Sequence, residues 1–237
     1  MTDPQPQGPP TAKQVPTTRE RHGDTVVDPY AWLRDKDDPD TIAYLEAENA
    51  WTDAQLAHTK PLQERLFQEI KARIQETDLS VPMRRRGWWY FTRTEEGKQY
   101  PIHCRTRASD ADTVHAPAPS TPEEVLLDQN EAAGDSEFFA LGALDVSPDG
   151  RLLAWSSDFA GAELYDLRFR DLTTGADLPD VIPGTYYGSA WALDNRTFFY
   201  VKTDDAMRPH QLWRHTLGTD PADDVLVHEE RPTSAST

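Results

Sequence analysis

A serine serves as an acyl nucleophile when a strained turn exposes it, and in an α/β-hydrolase that turn reads Gly-x-Ser-x-Gly. No such string occurs in the 237 residues. The nearest, Gly134-Asp135-Ser136-Glu137-Phe138, lacks the second glycine and falls between strand-like segments, so Ser136 is expected in a loop and not as a nucleophile. The seven histidines are His22, His58, His103, His115, His210, His215 and His228. No pair of them has the helical spacing of an HExxH zinc site. His210 and His215, five apart, should face opposite sides of a regular strand. Cys104, in YPIHCRTR, reads as a packed thiol on a strand. The acid group Asp35, Asp37, Asp38 and Asp40 lacks the glycine and distal glutamate of a calcium loop. It coincides with a helix start, where carboxylates suit the helix dipole. Arg84-Arg85-Arg86 is the one basic run and reads as a solvated turn. With no phosphate-binding glycine loop either, no catalytic, cofactor-binding or metal-ligating residue is assigned, and no cofactor is expected.

Composition narrows the partners. The net charge is -17, from 24 Lys+Arg against 41 Asp+Glu. Phosphate binding needs a basic surface, so neither nucleic acid nor an anionic membrane is expected as a partner. Cationic substrates are compatible with the charge, as is a simple role in solubility. The single cysteine excludes an internal disulfide framework and a zinc knuckle, and it suits a reducing cytoplasm. The N-terminus, MTDPQPQGPPTAKQVPTT, has no apolar export core, and no run of 18 apolar residues occurs.

Several elements could position such residues. Residues 1–18, rich in Pro, Gln and Thr, are expected to be disordered. HGDTVVDPYAWLRD should be extended, with Tyr30, Trp32 and Leu33 in need of a partner surface. Asp38-Pro39 is a cap followed by a first-turn proline. From there the apolar spacing predicts helices over 39–58 and 61–76, the second with Leu62, Leu66, Ile70 and Ile74 on one stripe. After residue 87 the period falls to two. WWYFTRT, QYPIHCRT, EVLLD, RLLAWSSD, LYDLRFRDL, TFFYVKTD, QLWRHTL and DVLVHEE are strands, parted by EEGK, SPDG, TTGA and LDNR. Residues 107–123 should form a surface loop.

Two of these units are copies. Asp149, Arg151, Leu167, Leu172 and Thr174 match Asp194, Arg196, Leu212, Leu217 and Thr219 at a constant offset of 45 residues. A looser copy starts at Gly87, 63 residues before Gly150. About four strands per 40–50 residues, without helices, is the period of a β-propeller blade. The span 81–230 holds three blades, fewer than the roughly four to eight that close a ring. A β-sandwich with two chance hairpins is the competing fold.

HGDTVVDPYAWLRD, the helix pair IAYLEAENAW and LQERLFQEIKARI, LLDQNEAAGDSEFFALGALDVSPDG, LYDLRFRDLTTG, FFYVKTDDAMRPHQLWRHTLGT and DVLVHEE, in that order, together resemble the prolyl oligopeptidase family of serine peptidases, and within it the oligopeptidase B branch. The resemblance implies a mainly β fold: about three of seven propeller blades, preceded over 19–80 by a segment with two α-helices. That segment would pack on an α/β-hydrolase domain supplying Ser, Asp and His. It further implies cleavage of short basic peptides after Arg or Lys, with the cationic side chain bound mainly by the hydrolase domain. The chain departs from the family pattern after LVHEE, where RPTSAST (231–237) is a divergent tail. On this reading the chain is an N-terminal portion, inactive alone, with the hydrolase domain as its absent partner. The alternative is a propeller that binds and performs no chemistry.

Overall fold

A computed structural model of the chain describes residues 8–109 and 122–230. Residues 1–7, most of the expected surface loop and the tail 231–237 lie outside the described residues. The chain divides into two compact units, one ending at Gln75 and the other starting at Glu76.

The first unit opens with a hairpin of β1 (Thr17–Arg21) and β2 (Asp24–Asp28). His22 and Gly23 make its two-residue turn with φ of 53° and 85°, the left-handed pair that matches strand twist. Order extends upstream. Val15 N–H donates to the Pro29 carbonyl, the Trp32 indole N–H donates to the Lys13 carbonyl, and Lys13 pairs with Asp40. The disorder expected up to residue 18 is thus corrected from Lys13 onward, because the hairpin supplies partners that composition does not reveal. Helix α1 (Pro39–Leu56) begins where the Asp38 carboxylate accepts from Asp40 N–H at 2.8 Å. Helix α2 (Lys60–Lys71) is shorter than its apolar stripe, since its end tightens into i→i+3 bonds from Arg73 to Ile70 and from Ile74 to Lys71. Leu62, Leu66, Phe67 and Ile70 stay exposed. Trp32 packs edge-on against Tyr44, so part of the aromatic group finds its partner within this unit.

The second unit is three four-stranded antiparallel sheets. The first runs β3 (Met83–Arg85), β4 (Trp88–Arg93), β5 (Ile102–Arg107) and β6 (Glu124–Asp128). A five-residue helix, α3 (Gln129–Ala133), leads onward. The second sheet runs β7 (Ala140–Val146), β8 (Leu152–Asp158), β9 (Tyr165–Asp171) and the first half of β10 (Asp177–Trp191). The third uses the second half of β10, then β11 (Thr197–Thr203), β12 (Pro209–Thr216) and β13 (Val225–Glu229). β10 pairs with β9 up to Thr185 and with β11 from Tyr186, bending at Gly184 (φ 66°). One strand therefore closes one blade and opens the next.

Each central strand has two buried faces. On β8, Leu153 and Trp155 pack toward the first sheet with Leu126 and Leu127, while Ala154 joins Leu167, Phe169, Ile182, Phe198 and Tyr200 toward the third. The repeat appears in the backbone. Equivalent bonds run from Ala108 N–H to Gly87, from Leu172 N–H to Arg151 and from Leu217 N–H to Arg196, with the acceptors spaced 64 and 45 residues apart. The first spacing is one residue longer than the glycine alignment implies. In the two closer copies, Asp149 and Asp194 accept from Arg151 N–H and Arg196 N–H, and Gly150 and Asn195 take positive φ. The Asn195 side chain accepts from Asp149 N–H at 2.9 Å, tying one turn to the next.

Candidate functional site

The structure scatters the residues that chemistry would need together. Ser136 follows α3 in a turn closed by its own N–H to the Ala133 carbonyl, and no hydrogen bond joins it to a histidine among the described residues. His22 occupies the β1–β2 turn, and the His58 ring bonds the Gln55 carbonyl. His115 lies outside the described residues. The Cys104 thiol is buried, and that burial pushes it up to about 11, so it stays protonated and inert at neutral pH. Asp35 and Asp38 spend their carboxylates on the N–H groups of Asp37 and Asp40. Among the described residues no group of three His, Cys, Asp or Glu side chains is arranged to hold a metal ion. Arg84 and Arg85 belong to β3, and Arg86 is the left-handed residue (φ 48°) that turns the chain into β4.

Two features remain. The first is a pocket of about 430 Å³ between the first and second sheets. Tyr90, Leu126, Leu144 and Val146 form apolar walls, and Arg84, Arg85, Arg86 and His103 supply the polar lining. His103 bonds Gln129 across 2.7 Å, and burial lowers its affinity for a proton, which keeps the ring neutral at pH 7. On the first sheet, the guanidinium groups of Arg105 and Arg107 both approach the Trp88 ring, 3.8 and 3.9 Å from its centre. Arg105 also donates to the Gly150 carbonyl and to Glu124, which locks the first sheet to the second.

The second feature escaped the sequence reading. His215, fully buried on β12, places Nδ1 2.6 Å from Asp224 and Nε2 3.0 Å from Asp180. Tyr200 donates its hydroxyl to the other Asp224 oxygen, Gly218 N–H donates to Asp180, and the Phe169 ring stacks on the imidazole. Burial, then the bond to Asp224, pushes the Tyr200 hydroxyl well above its ordinary value. Groups from β9, β10, β11, β12 and the turn before β13 meet here. With no accessible surface on His215, this network holds the second and third sheets together and cannot touch a substrate.

Meandering four-stranded sheets packed face to face, the second and third joined through the shared strand β10, define a β-propeller of which three blades are present among the described residues. Residues 9–236 match the family described as the prolyl oligopeptidase N-terminal beta-propeller domain, and the chain belongs to that family. It is 39% identical to dipeptidyl aminopeptidase BI of Pseudoxanthomonas mexicana, covering 95% of this chain and 32% of that protein. Protease 2 of Moraxella lacunata is 34% identical, over 94% of this chain and 32% of its own length. Oligopeptidase B from Leishmania major superposes with a TM-score of 0.86 at 29% identity, over 94% of this chain and 33% of that one. The chain thus spans about a third of the length of these relatives. Among the described residues no helix is long and apolar enough to cross a membrane.

Proposed function

We infer that this chain supplies the propeller portion of a serine oligopeptidase that cuts short peptides after Arg or Lys in the cytoplasm. The observation that carries the reading is the three-blade arrangement itself, which superposes on oligopeptidase B over nearly the whole chain. The charge of -17 favours cationic peptides over anionic ones. Catalysis would come from an α/β-hydrolase domain, because a nucleophile elbow is absent from these 237 residues and no hydrogen bond joins Ser136 to a histidine among the described residues. The propeller contributes by limiting access to short, unfolded chains, and the polypeptide of 237 residues is inactive by itself.

The test has two arms. The 237-residue chain is offered arginyl and lysyl amide substrates and a serine-directed fluorophosphonate, with no turnover and no labelling expected. Stoichiometric labelling at Ser136 would overturn the rejection of that serine. The coding DNA beyond the Thr237 codon is then read in all frames, and any polypeptide joining both parts is assayed. Cleavage after Arg or Lys supports the reading. Preference for proline, or release of N-terminal dipeptides (as the name of the Pseudoxanthomonas relative suggests), would replace the proposed specificity. Failure to find a hydrolase sequence would favour a propeller that only binds.

A further inference from the structure

The hydrogen bonds around His215 fix how many protons the cluster can hold. We propose that His215 carries a proton on both ring nitrogens, as a buried imidazolium shared by Asp180 and Asp224, and so forms a proton-dependent clasp between the second and third blades. The clasp needs nothing from the peptidase reading.

Both ring nitrogens meet carboxylate oxygens, Nδ1 at Asp224 across 2.6 Å and Nε2 at Asp180 across 3.0 Å. A neutral imidazole has one N–H and one lone pair, and an ionised carboxylate only accepts. One of the two contacts would then set lone pair against lone pair. A proton on each N···O line removes the conflict. An ordinary histidine keeps its second proton to about pH 6.5 and an ordinary aspartate only to about 3.9, so the extra proton belongs on the ring. The carboxylates are also suited to their ionised form. Asp224 accepts from the Tyr200 hydroxyl at 2.8 Å and Asp180 from Gly218 N–H at 2.6 Å. Among the described residues neither carboxylate has an ion pair with lysine or arginine, and their side chains are 4% and 1% exposed, so the ring supplies the charge that water cannot screen. The other elements bring little further charge to the ring. Phe169 of β9 stacks on it, and Lys202 lies 5.8 Å from the ring centre of Tyr200 on β11. In the turn that holds Asp224, Asp220 accepts from Ala222 N–H and Asp223 is exposed. In the unfolded chain the histidine gives up its second proton near pH 6.5, whereas the folded clasp keeps it. The stability it supplies is complete below that pH and declines as pH rises above it.

The first measurement is heteronuclear NMR of the 237-residue chain, labelled at its histidine ring nitrogens, at about pH 7.8, where an ordinary histidine is neutral. One ring should show a directly bonded proton on both nitrogens, and His215→Phe should remove that signal. The second is urea unfolding of the parent between about pH 7 and 8, below the range in which the buried Cys104 thiol adds a slope of the same sign. The unfolding equilibrium constant should rise about eightfold across that unit, the value for one proton lost on unfolding by a group of ordinary histidine affinity. Asp180→Asn, which leaves the ring a single anion, should flatten the rise. A His215 ring with one bare nitrogen at about pH 7.8, or a rise of less than about threefold, would each overturn the proposal. Both decisive readings come from the parent chain, so a variant that fails to fold does not shield it. Because neither readout is turnover, the outcome leaves the peptidase reading to its own assay.

Discussion

Replacing His215 probes whether the blades are held by a buried charge network or by packing alone. In His215→Ala, the carboxylates of Asp180 and Asp224 lose a shared partner at 3.0 and 2.6 Å, inside a region with no solvent access to the ring. Removing one member of a buried pair costs about 3–5 kcal/mol, mostly through the charge left behind. That is a large share of a margin of roughly 5–15 kcal/mol for a whole domain. With a urea dependence of about 2 kcal/mol per molar, the midpoint should fall by about 1.5–2.5 M. Fluorescence of Trp191 and Trp213, both packed on the core that contains Tyr200, reports the transition. His215→Phe separates the two explanations. Phenylalanine keeps the volume and the stack on Phe169, yet takes the imidazole partner from both carboxylates and leaves Asp224 only the Tyr200 hydroxyl and Asp180 only the Gly218 N–H, so it should be nearly as damaging as alanine. A His215→Ala midpoint within about 0.5 M of the parent would refute the reasoning. So would full recovery in His215→Phe, which would mean that packing, and not the charge network, holds the blades together.

Two further outcomes follow from the same geometry. The Tyr200 and Tyr165 hydroxyls are both pushed up, burial being the larger cause in each, so the folded chain keeps these protons at a pH where the unfolded chain loses them. Stability from them is complete below about pH 10 and declines as pH rises beyond it, and Tyr200→Phe should make that decline shallower in urea midpoints taken between about pH 8 and 11. Gly150 holds φ at 78°, and an added Cβ would lie 3.3 Å from the Trp88 indole nitrogen. Gly150→Ala should therefore cost about 1–2 kcal/mol, read from the thermal transition, and an unchanged transition would contradict the described turn.

Much of the blade structure was legible because its middle strands carry the signal. β4, β5, β8, β9, β11 and β12 are dense in aromatic and branched residues, and polar turns bracket them where the chain must reverse. The strands that escaped notice lie at blade edges and joints. β10 contains Pro179, Pro183, Gly184 and Gly188, residues that break a regular strand. They are tolerated because the strand changes sheets there, through bulges near Ile182 and Tyr186. β3 was hidden in the arginine run, whose last member turns the chain. The β1–β2 hairpin was hidden for a related reason: His22 adopts positive φ without being glycine or asparagine.

The candidate sites divide along the same line. That Ser136 sits in a turn and Cys104 in a packed strand followed from their immediate neighbours, since local motif and strand period decide both. The Asp180–His215–Asp224 network did not follow, because its members lie 35 and 9 residues from the histidine and a polar residue in a strand ordinarily points to solvent. The pocket walls likewise come from separate blades. The sequence by itself determined the period, the number of blades and the family, because repeated turns and alternating apolar residues are local properties of the chain. Which polar groups become buried together, and which arginines border a cavity, was decided only when the faces of successive sheets met, because desolvation and ion pairing depend on distances in space.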